Sequence, residues 1–300
     1  MTDNQNHKAG FVNILGNPNV GKSTLMNVLV GEHMSIINRK PQTTRHRILG
    51  IVNTDDYQIV FSDTPGRIHD PQYEMQLAMN RFIRSSYQDA DIVLFMTTAV
   101  EKGDALEAHV EEVSKLDVPK FLVLNKCDLV DQERIDELVA HYTSLENFSR
   151  IIPVSAMHKR GTSEILPAIV EELPSHPPFY PKDQLTDRPE RFFITELIRD
   201  KILDLYHQEI PYSCEVVIED FKVGEARDGE ITRIRAVVYV NRKSQKSILI
   251  GKGGEAIKRL GTRSRKDIES FLQTRVFLDL HIKVRENWRD DEASLRRFGY

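Results

Sequence analysis

The sequence predicts an α/β fold, a mostly parallel six-stranded sheet with helices on both faces, followed by a smaller α+β unit. Three observations predict it. Apolar runs at 10–15, 57–62, 91–97, 119–124 and 151–154 alternate with amphipathic helical patterns near 73–87, 105–116, 131–145 and 161–172, the order that builds a parallel sheet covered by helices. Pro174, Pro177, Pro178, Pro181 and Pro189 then crowd into sixteen residues and end that pattern. Beyond them a new order begins: helix, strand, strand, helix, glycine turn, helix, strand.

Each element follows from its residues. The run Gly10 to Leu15 reads as a strand, and apolar residues at Leu25, Met26, Leu29 and Val30 have helical spacing. His46 to Asn53 supplies a sixth strand, expected antiparallel to 57–62 across a turn at Thr54-Asp55-Asp56. The prolines make a stiff, extended linker over 174–189, dividing the chain into expected domains at 1–173 and 190–300. The second domain opens with a helix from Glu190 to about Tyr206. Strands follow at Cys214 to Phe221 and Ile231 to Val240, separated by a polar loop from Gly224 to Glu230, and the last strand is Val276 to Val284.

The chemistry sits at strand ends. Gly16-Asn17-Pro18-Asn19-Val20-Gly21-Lys22-Ser23 fits the pattern GxxxxGK[ST] at every required position and lies between a strand and a helix. In such a loop, the backbone from Gly16 through Thr24 surrounds phosphates with its N–H groups, Pro18 alone having none to give, Lys22 reaches the β- and γ-phosphates, and the Ser23 hydroxyl ligates magnesium. Asp63-Thr64-Pro65-Gly66 ends the run Ile59-Val60-Phe61; Asp63 suits a magnesium ligand acting through water, and the Gly66 N–H can approach the γ-phosphate. Asn125-Lys126-Cys127-Asp128 ends Phe121 to Leu124. An aspartate there accepts from N1–H and the exocyclic amine of guanine, a donor pair that adenine lacks, so GTP is expected over ATP. Asn125 braces that loop, the Lys126 stem covers the base, and the backbone at Ser155-Ala156 suits the guanine carbonyl.

Charge separates the two halves. Residues 1–180 carry 17 Lys+Arg against 24 Asp+Glu, net −7; residues 181–300 carry 24 against 21, net +3. The stretch 241–266 holds nine basic side chains and one acidic one, Glu255, which suggests a polyanionic partner. Within it, Gly251-Lys252-Gly253-Gly254 lies between Ile250 and Ile257. A GxxG turn between two helices in that element order matches a KH RNA-binding domain of the second type, with Ile250, Gly251, Lys252, Gly253, Gly254, Ile257 and Lys258 at the groove. Glycines that merely permit helix packing are the alternative.

Cys127 and Cys214 have neither metal-ligand spacing nor the number for a disulfide framework, so a reducing cytoplasm is expected. No apolar run is long enough to span a bilayer, and the polar start, Met1 to Lys8, does not read as a signal peptide. Peripheral membrane contact stays open. His46 and His69 are read as surface or loop histidines.

With these motifs in order, Lys40-Pro41-Gln42-Thr43-Thr44-Arg45-His46-Arg47 resembles the Era family of ribosome-assembly GTPases, and the likeness runs from about Gly10 to Tyr300. The resemblance implies a P-loop GTPase domain joined to a KH domain, acting as a monomer. It implies switch segments near 38–48 and 63–72, with Thr43 and Thr44 in the first and Asp63, Thr64, Pro65 and Gly66 in the second; Thr44 is the threonine expected to close over magnesium. It further implies potassium beside the phosphates at Asn19, where a plain turn residue is the alternative. The implied partners are GTP and GDP, the single-stranded 3′ end of small-subunit ribosomal RNA, and the 30S subunit during assembly. Arg67 departs from the pattern: many GTPases carry a water-orienting glutamine there and this family an apolar residue. A guanidinium stays protonated and cannot be a general base, so a solvated loop arginine is expected.

Overall fold

The structure is a computed structural model that describes residues 7–38, 40–101, 104–226 and 229–300. The start of the polar N-terminal segment and positions 227 and 228 of the expected polar loop lie outside the described residues. The chain forms two compact units. One runs to His69 and resumes from Met79 to Asp187; the other takes Asp70–Ala78 and Arg188–Tyr300.

In the first unit the elements are β1 (Lys8–Gly16), α1 (Lys22–Val30), β2 (Ile48–Asn53), β3 (Tyr57–Asp63), β4 (Ile92–Thr98), α3 (Asp104–Ser114), β5 (Lys120–Asn125), α4 (Gln132–Ser144), β6 (Arg150–Pro153) and α5 (Ile165–Glu172); α2 (Glu74–Gln88), between β3 and β4, belongs to it from Met79 onward, its first residues falling in the other unit. The sheet order is β2-β3-β1-β4-β5-β6, and β2 alone runs antiparallel. The central strands are buried on both faces, as near-continuous apolar runs require. Leu15, Phe95 and Leu122 from the sheet pack with Leu106, Val110 and Val113 of α3 and Tyr142 of α4. Asp63 and Asn125 close their strands and Gly16 closes β1, so the sequence motifs gather at the carboxyl edge, where open α/β sheets bind ligands.

The proline-rich segment is fastened to this unit. Prolines have no N–H, so the remaining backbone groups make the attachment. Leu185 accepts from the Ile51 N–H at 2.8 Å, and the buried Gln58 side chain pairs with Phe179 and Tyr180 through bonds of 2.7, 3.0 and 2.8 Å. Tyr180 also packs over Leu49, Ile51 and Val60.

The second unit holds α6 (Glu190–Leu205), β7 (Cys214–Ala226), β8 (Gly229–Val240), α7 (Lys243–Ile250), α8 (Glu255–Leu272), β9 (Arg275–Val284) and α9 (Glu292–Phe298). Its sheet is ordered β7-β8-β9, antiparallel then parallel. Ile194, Ile198 and Ile202 of α6 and Leu260 and Ile268 of α8 share a core with Val216, Ile234, Ala236 and Val238. In the same unit the Arg289 guanidinium lies 4.1 Å from the Tyr73 ring centroid, and the Met75 N–H donates to the Arg289 carbonyl at 2.9 Å.

Two readings change. The expected polar loop at Gly224 to Glu230 is largely strand, its ladder continuing to the pair Ala226 and Gly229. A ribbon needs only backbone partners, so a polar composition does not end it. The C-terminal tail carries helix α9: the Asp291 carboxylate caps the Ser294 N–H at 2.9 Å, and Gly299 closes the helix at φ 88°. Trp288 beside it is fully buried and donates from Nε1 to the Ser213 carbonyl at 3.1 Å.

Candidate nucleotide site and nucleic-acid interface

The loop between β1 and α1 is preformed. Lys22 is buried, and its Nζ donates to the carbonyls of Gly16 and Asn17, both at 2.9 Å. Burial lowers its pKa to about 8, against the opposing pull of Asp63 and Glu101; phosphate oxygens would supply the missing counter-charge. Gly21 has φ 108°, and a Cβ there would sit 2.3 Å from the Asn125 amide nitrogen. Pro18 and Asn19 are exposed at the tip, Asn19 at φ 63°, and Val20 is buried beneath it. Gly66 lies directly against Pro18, where a Cβ would come within 2.8 Å of its Cα.

A hydroxyl–carboxylate corner adjoins the loop. Ser23 Oγ donates to Asp63 Oδ2 at 2.7 Å and lies 3.0 Å from Thr44 Oγ1, which is itself 3.4 Å from Asp63 Oδ2. Thr43 is elsewhere, donating to the Lys40 carbonyl at 2.6 Å. Asp63 is fully buried and its Oδ1 has no hydrogen-bond partner; burial raises its pKa, and the Ser23 bond and the Lys22 charge only partly offset this. Two hydroxyls and a carboxylate with a bare buried oxygen fit a hard divalent cation such as magnesium. Thr64 is buried, its hydroxyl donating to the Ile14 carbonyl at 3.3 Å, and Pro65 is buried next to it.

Switch residues have unexpected surroundings. His46 is buried, not a surface histidine: it is 7% exposed, with its ring 6.1 Å from that of Phe82 on α2. Arg45 is buried as well, so the chain beyond Thr44 is anchored in the core. His69 is exposed. Arg67 is no free loop arginine; it is ion-paired with Glu112 of α3.

The base-reading corner is built by cross-bracing. Asn125 Nδ2 donates to the Val20 carbonyl at 2.8 Å, tying this loop to the phosphate loop. Lys126 adopts φ 60° and its Nζ donates to the Asn19 carbonyl at 2.8 Å. Ser155 Oγ donates to Asp128 Oδ1 at 2.5 Å, and His158 Nε2 is 3.6 Å from Oδ2; that hydroxyl bond, chiefly, holds the carboxyl below the usual carboxylate range. The ionised Asp128 is thereby aimed and ready to accept two donors. The backbone at Ser155-Ala156 differs from expectation. The Ala156 N–H already donates to Asn125 Oδ1 at 2.9 Å and the Ser155 N–H to the Arg160 carbonyl at 3.0 Å, so a guanine carbonyl competes with Asn125 for the Ala156 donor.

Sequence reasoning missed a polar seam behind the loop. Asn17 Nδ2 donates to Glu101 Oε1 at 2.7 Å, Thr97 Oγ1 donates to Glu101 Oε2 at 2.9 Å, and Asn17 Oδ1 faces His109 Nδ1 at 3.2 Å. The spacing of Leu106, His109, Val110 and Val113, which places His109 on the apolar face of α3, was the available signal. Burial, with the charges of Arg67, Lys22 and His69, lowers the His109 pKa to about 4. Below pH 6.5 the unfolded chain takes up a proton that the folded chain refuses. Folding stability is therefore expected to fall between pH 6.5 and about 4, by up to about 3 kcal/mol, and His109→Asn should flatten that part of the profile. Urea unfolding of both proteins across this range is the check; parallel pH profiles would remove His109 as the cause.

In the second unit, Gly251-Lys252-Gly253-Gly254 joins α7 to α8 in a short 3-10 turn. Gly253 and Gly254 have φ of 61° and 80°, and a Cβ on either would meet nothing within 4 Å. Internal packing thus does not call for these glycines; the open space above them suits a close-approaching backbone. Ile250 and Ile257 are half-buried beside the turn, whereas Lys252, Lys258, Arg259 and Arg263 are exposed.

A family model described as 50S ribosome-binding GTPase matches residues 11–126, and a KH domain model matches residues 209–289. The chain is 44% identical to GTPase Era of Syntrophus aciditrophicus (strain SB), covering 98% of this chain and 95% of that one. The same identity to GTPase Era of Geotalea uraniireducens (strain Rf4) covers 100% of both. The chain belongs to the GTPase Era family. A solved Era in complex with MgGDPNP and nucleotides 1506–1542 of 16S ribosomal RNA superposes with a TM-score of 0.91 at 34% identity, covering 98% of this chain and 99% of that one. Aquifex aeolicus Era bound to GDP·AlF4−, as a point variant, gives 0.89 at 34% identity over 98% and 99%. As an Era-type GTPase the chain has the P-loop fold with a C-terminal KH domain, and its chemistry is the conversion of GTP to GDP and phosphate.

Proposed function

We propose that this Era-family GTPase is a switch whose nucleotide state governs binding of its KH domain to the 3′ end of 16S ribosomal RNA, in support of 30S subunit assembly. The observation that carries the reading is the presence, in one chain, of an assembled phosphate and base site and a GxxG turn open to solvent. The similar Era that holds MgGDPNP together with nucleotides 1506–1542 of 16S RNA supports the choice of RNA. We place the domain boundary near Asp187 and Arg188, with the proline segment belonging to the GTPase unit, and the protein in the cytoplasm as a monomer.

The residues divide the work. Backbone groups of the phosphate loop and Lys22 hold the phosphates, Gly66, which lies against Pro18 of that loop, would approach the γ-phosphate, and Asp128 selects guanine. Magnesium would be held by Ser23 and Thr44, with Asp63 through water, and supplies charge neutralisation for phosphoryl transfer. Potassium is assigned to the exposed Asn19 beside the phosphates, and hydrolysis is expected to be slow without the partner or that cation. Arg67, engaged by Glu112, is left out of the chemistry.

The test pairs two titrations on one preparation. GTP and GDP should bind by calorimetry where ATP does not. A labelled RNA carrying the 16S 3′ end should bind more tightly than a shuffled sequence of equal length. ATP binding equal to GTP would remove the base assignment, and equal affinity for both RNAs would remove the RNA assignment.

A further inference from the structure

We propose that Glu101 and His109 are positioning residues for the nucleotide: acting through the Asn17 side chain, they hold the phosphate loop open to the width that phosphates need. Glu101 precedes α3 and His109 lies midway along it.

The geometry fixes every group in the clamp. Glu101 accepts from Thr97 Oγ1 through one carboxylate oxygen and from Asn17 Nδ2 through the other. A carboxylate can only accept, so the Asn17 amide must turn its nitrogen toward Glu101 and its oxygen toward His109. The oxygen can only accept in turn, so the proton of the neutral imidazole resides on Nδ1. Its Nε2 is buried without a hydrogen-bond partner, and the ring stands edge-on to Phe95 at 5.0 Å and 82°, which holds its plane. Asn17 is thus gripped at both side-chain atoms while its backbone carbonyl accepts from Lys22 Nζ at 2.9 Å. The side-chain grip and the lysine bond meet in a single loop residue.

The consequence is preorganisation. A loop already held open loses less freedom when phosphates enter, so affinity rises without a new contact to ligand. GDP and GTP share the phosphates that this loop surrounds, so the clamp should strengthen both alike. It should scarcely affect the hydrolytic step, which depends on the corner of Thr44, Asp63 and Gly66. Asn17, placed by its motif among the phosphate-binding residues, serves there through its backbone, since its side chain faces the opposite way.

The experiment measures dissociation of a fluorescent GDP analogue from the full chain, with KM and kcat for GTP. His109→Leu should speed dissociation by about tenfold and raise KM to match, while kcat falls by less than about twofold. His109→Asn, which carries an amide N–H at the place of Nδ1, should stay within about threefold of wild type, whereas His109→Gln, whose amide reaches the place of Nε2, should resemble leucine. Glu101 is half-buried, so Glu101→Ala tests the clamp without opening the core and should speed dissociation by about fivefold. Wild-type dissociation rates in both His109→Leu and Glu101→Ala would overturn the proposal, as would equal rescue by asparagine and glutamine. The proposal rests on the nucleotide-site reading; a wild-type chain that bound no guanine nucleotide would overturn both, while unchanged variants of a binding chain overturn the clamp alone.

Discussion

Lys22→Ala should weaken GTP and GDP by on the order of 2–5 kcal/mol, roughly thirtyfold to several thousandfold, the range for truncating one partner of a desolvated charge pair. The lysine is buried with its pKa lowered to about 8, so without phosphate it is an under-compensated cation. Nucleotide supplies the compensation, and the alanine variant loses that gain. The effect on folding is a balance. Removing Nζ leaves the Gly16 and Asn17 carbonyls without that donor, a cost of about 1–3 kcal/mol for buried groups, but it also removes a charge that was costly to bury. The variant should therefore fold with a modest change in Tm and bind nucleotide poorly. Calorimetry with GDP, on protein shown to be folded by circular dichroism, is the check; unchanged affinity would mean the loop does not bind phosphates.

The second large effect is expected at the GxxG turn. Replacing Lys252 and Gly253 with aspartates puts two carboxylates where a nucleic-acid backbone must approach. It also adds a side chain at a position with φ 61°. A KH groove clamps four nucleotides, so ~3 phosphates are neutralised and the wild-type salt slope should be roughly −2 in log–log form. The variant should lose RNA affinity by well over about tenfold, with a shallower slope. GTP affinity and hydrolysis should stay near wild type, because the turn and the nucleotide site lie in separate compact units. Fluorescence anisotropy across a salt series, with a GTPase assay on the same preparation, reads both. RNA binding that survives would move the interface elsewhere on the basic face; loss of GTP binding alongside it would show that the units do not fold independently.

Much of this was legible because the chemistry needs particular residue types at strand ends. Lys22, Ser23, Asp63, Asn125 and Asp128 each follow an apolar run, and the sheet order brings those ends to one edge. What stayed hidden depends on partners far away in sequence. His109 declares itself as a polar residue on an apolar helix face, but Asn17 lies 92 positions away. Arg67 could be read as solvated only because its partner Glu112 lies 45 positions away, on α3. His46 follows a polar run, yet packing on α2 decided its burial. Helix α9 was readable in principle: Asp291 and Gly299 are a start and a stop signal, but seven residues are too few for periodicity to show.

In the proposed switch, nucleotide state governs RNA binding. The most direct measurement is the affinity of the full chain for one RNA carrying the 16S 3′ end, with magnesium, in the presence of GDP and then of a non-hydrolysable GTP analogue. A switch requires different affinities in the two states, and allosteric couplings usually amount to about 5–150-fold; tighter binding with the GTP analogue, by at least about fivefold, is expected. Equal affinities in the two states would contradict it, leaving a KH domain that binds RNA regardless of its GTPase.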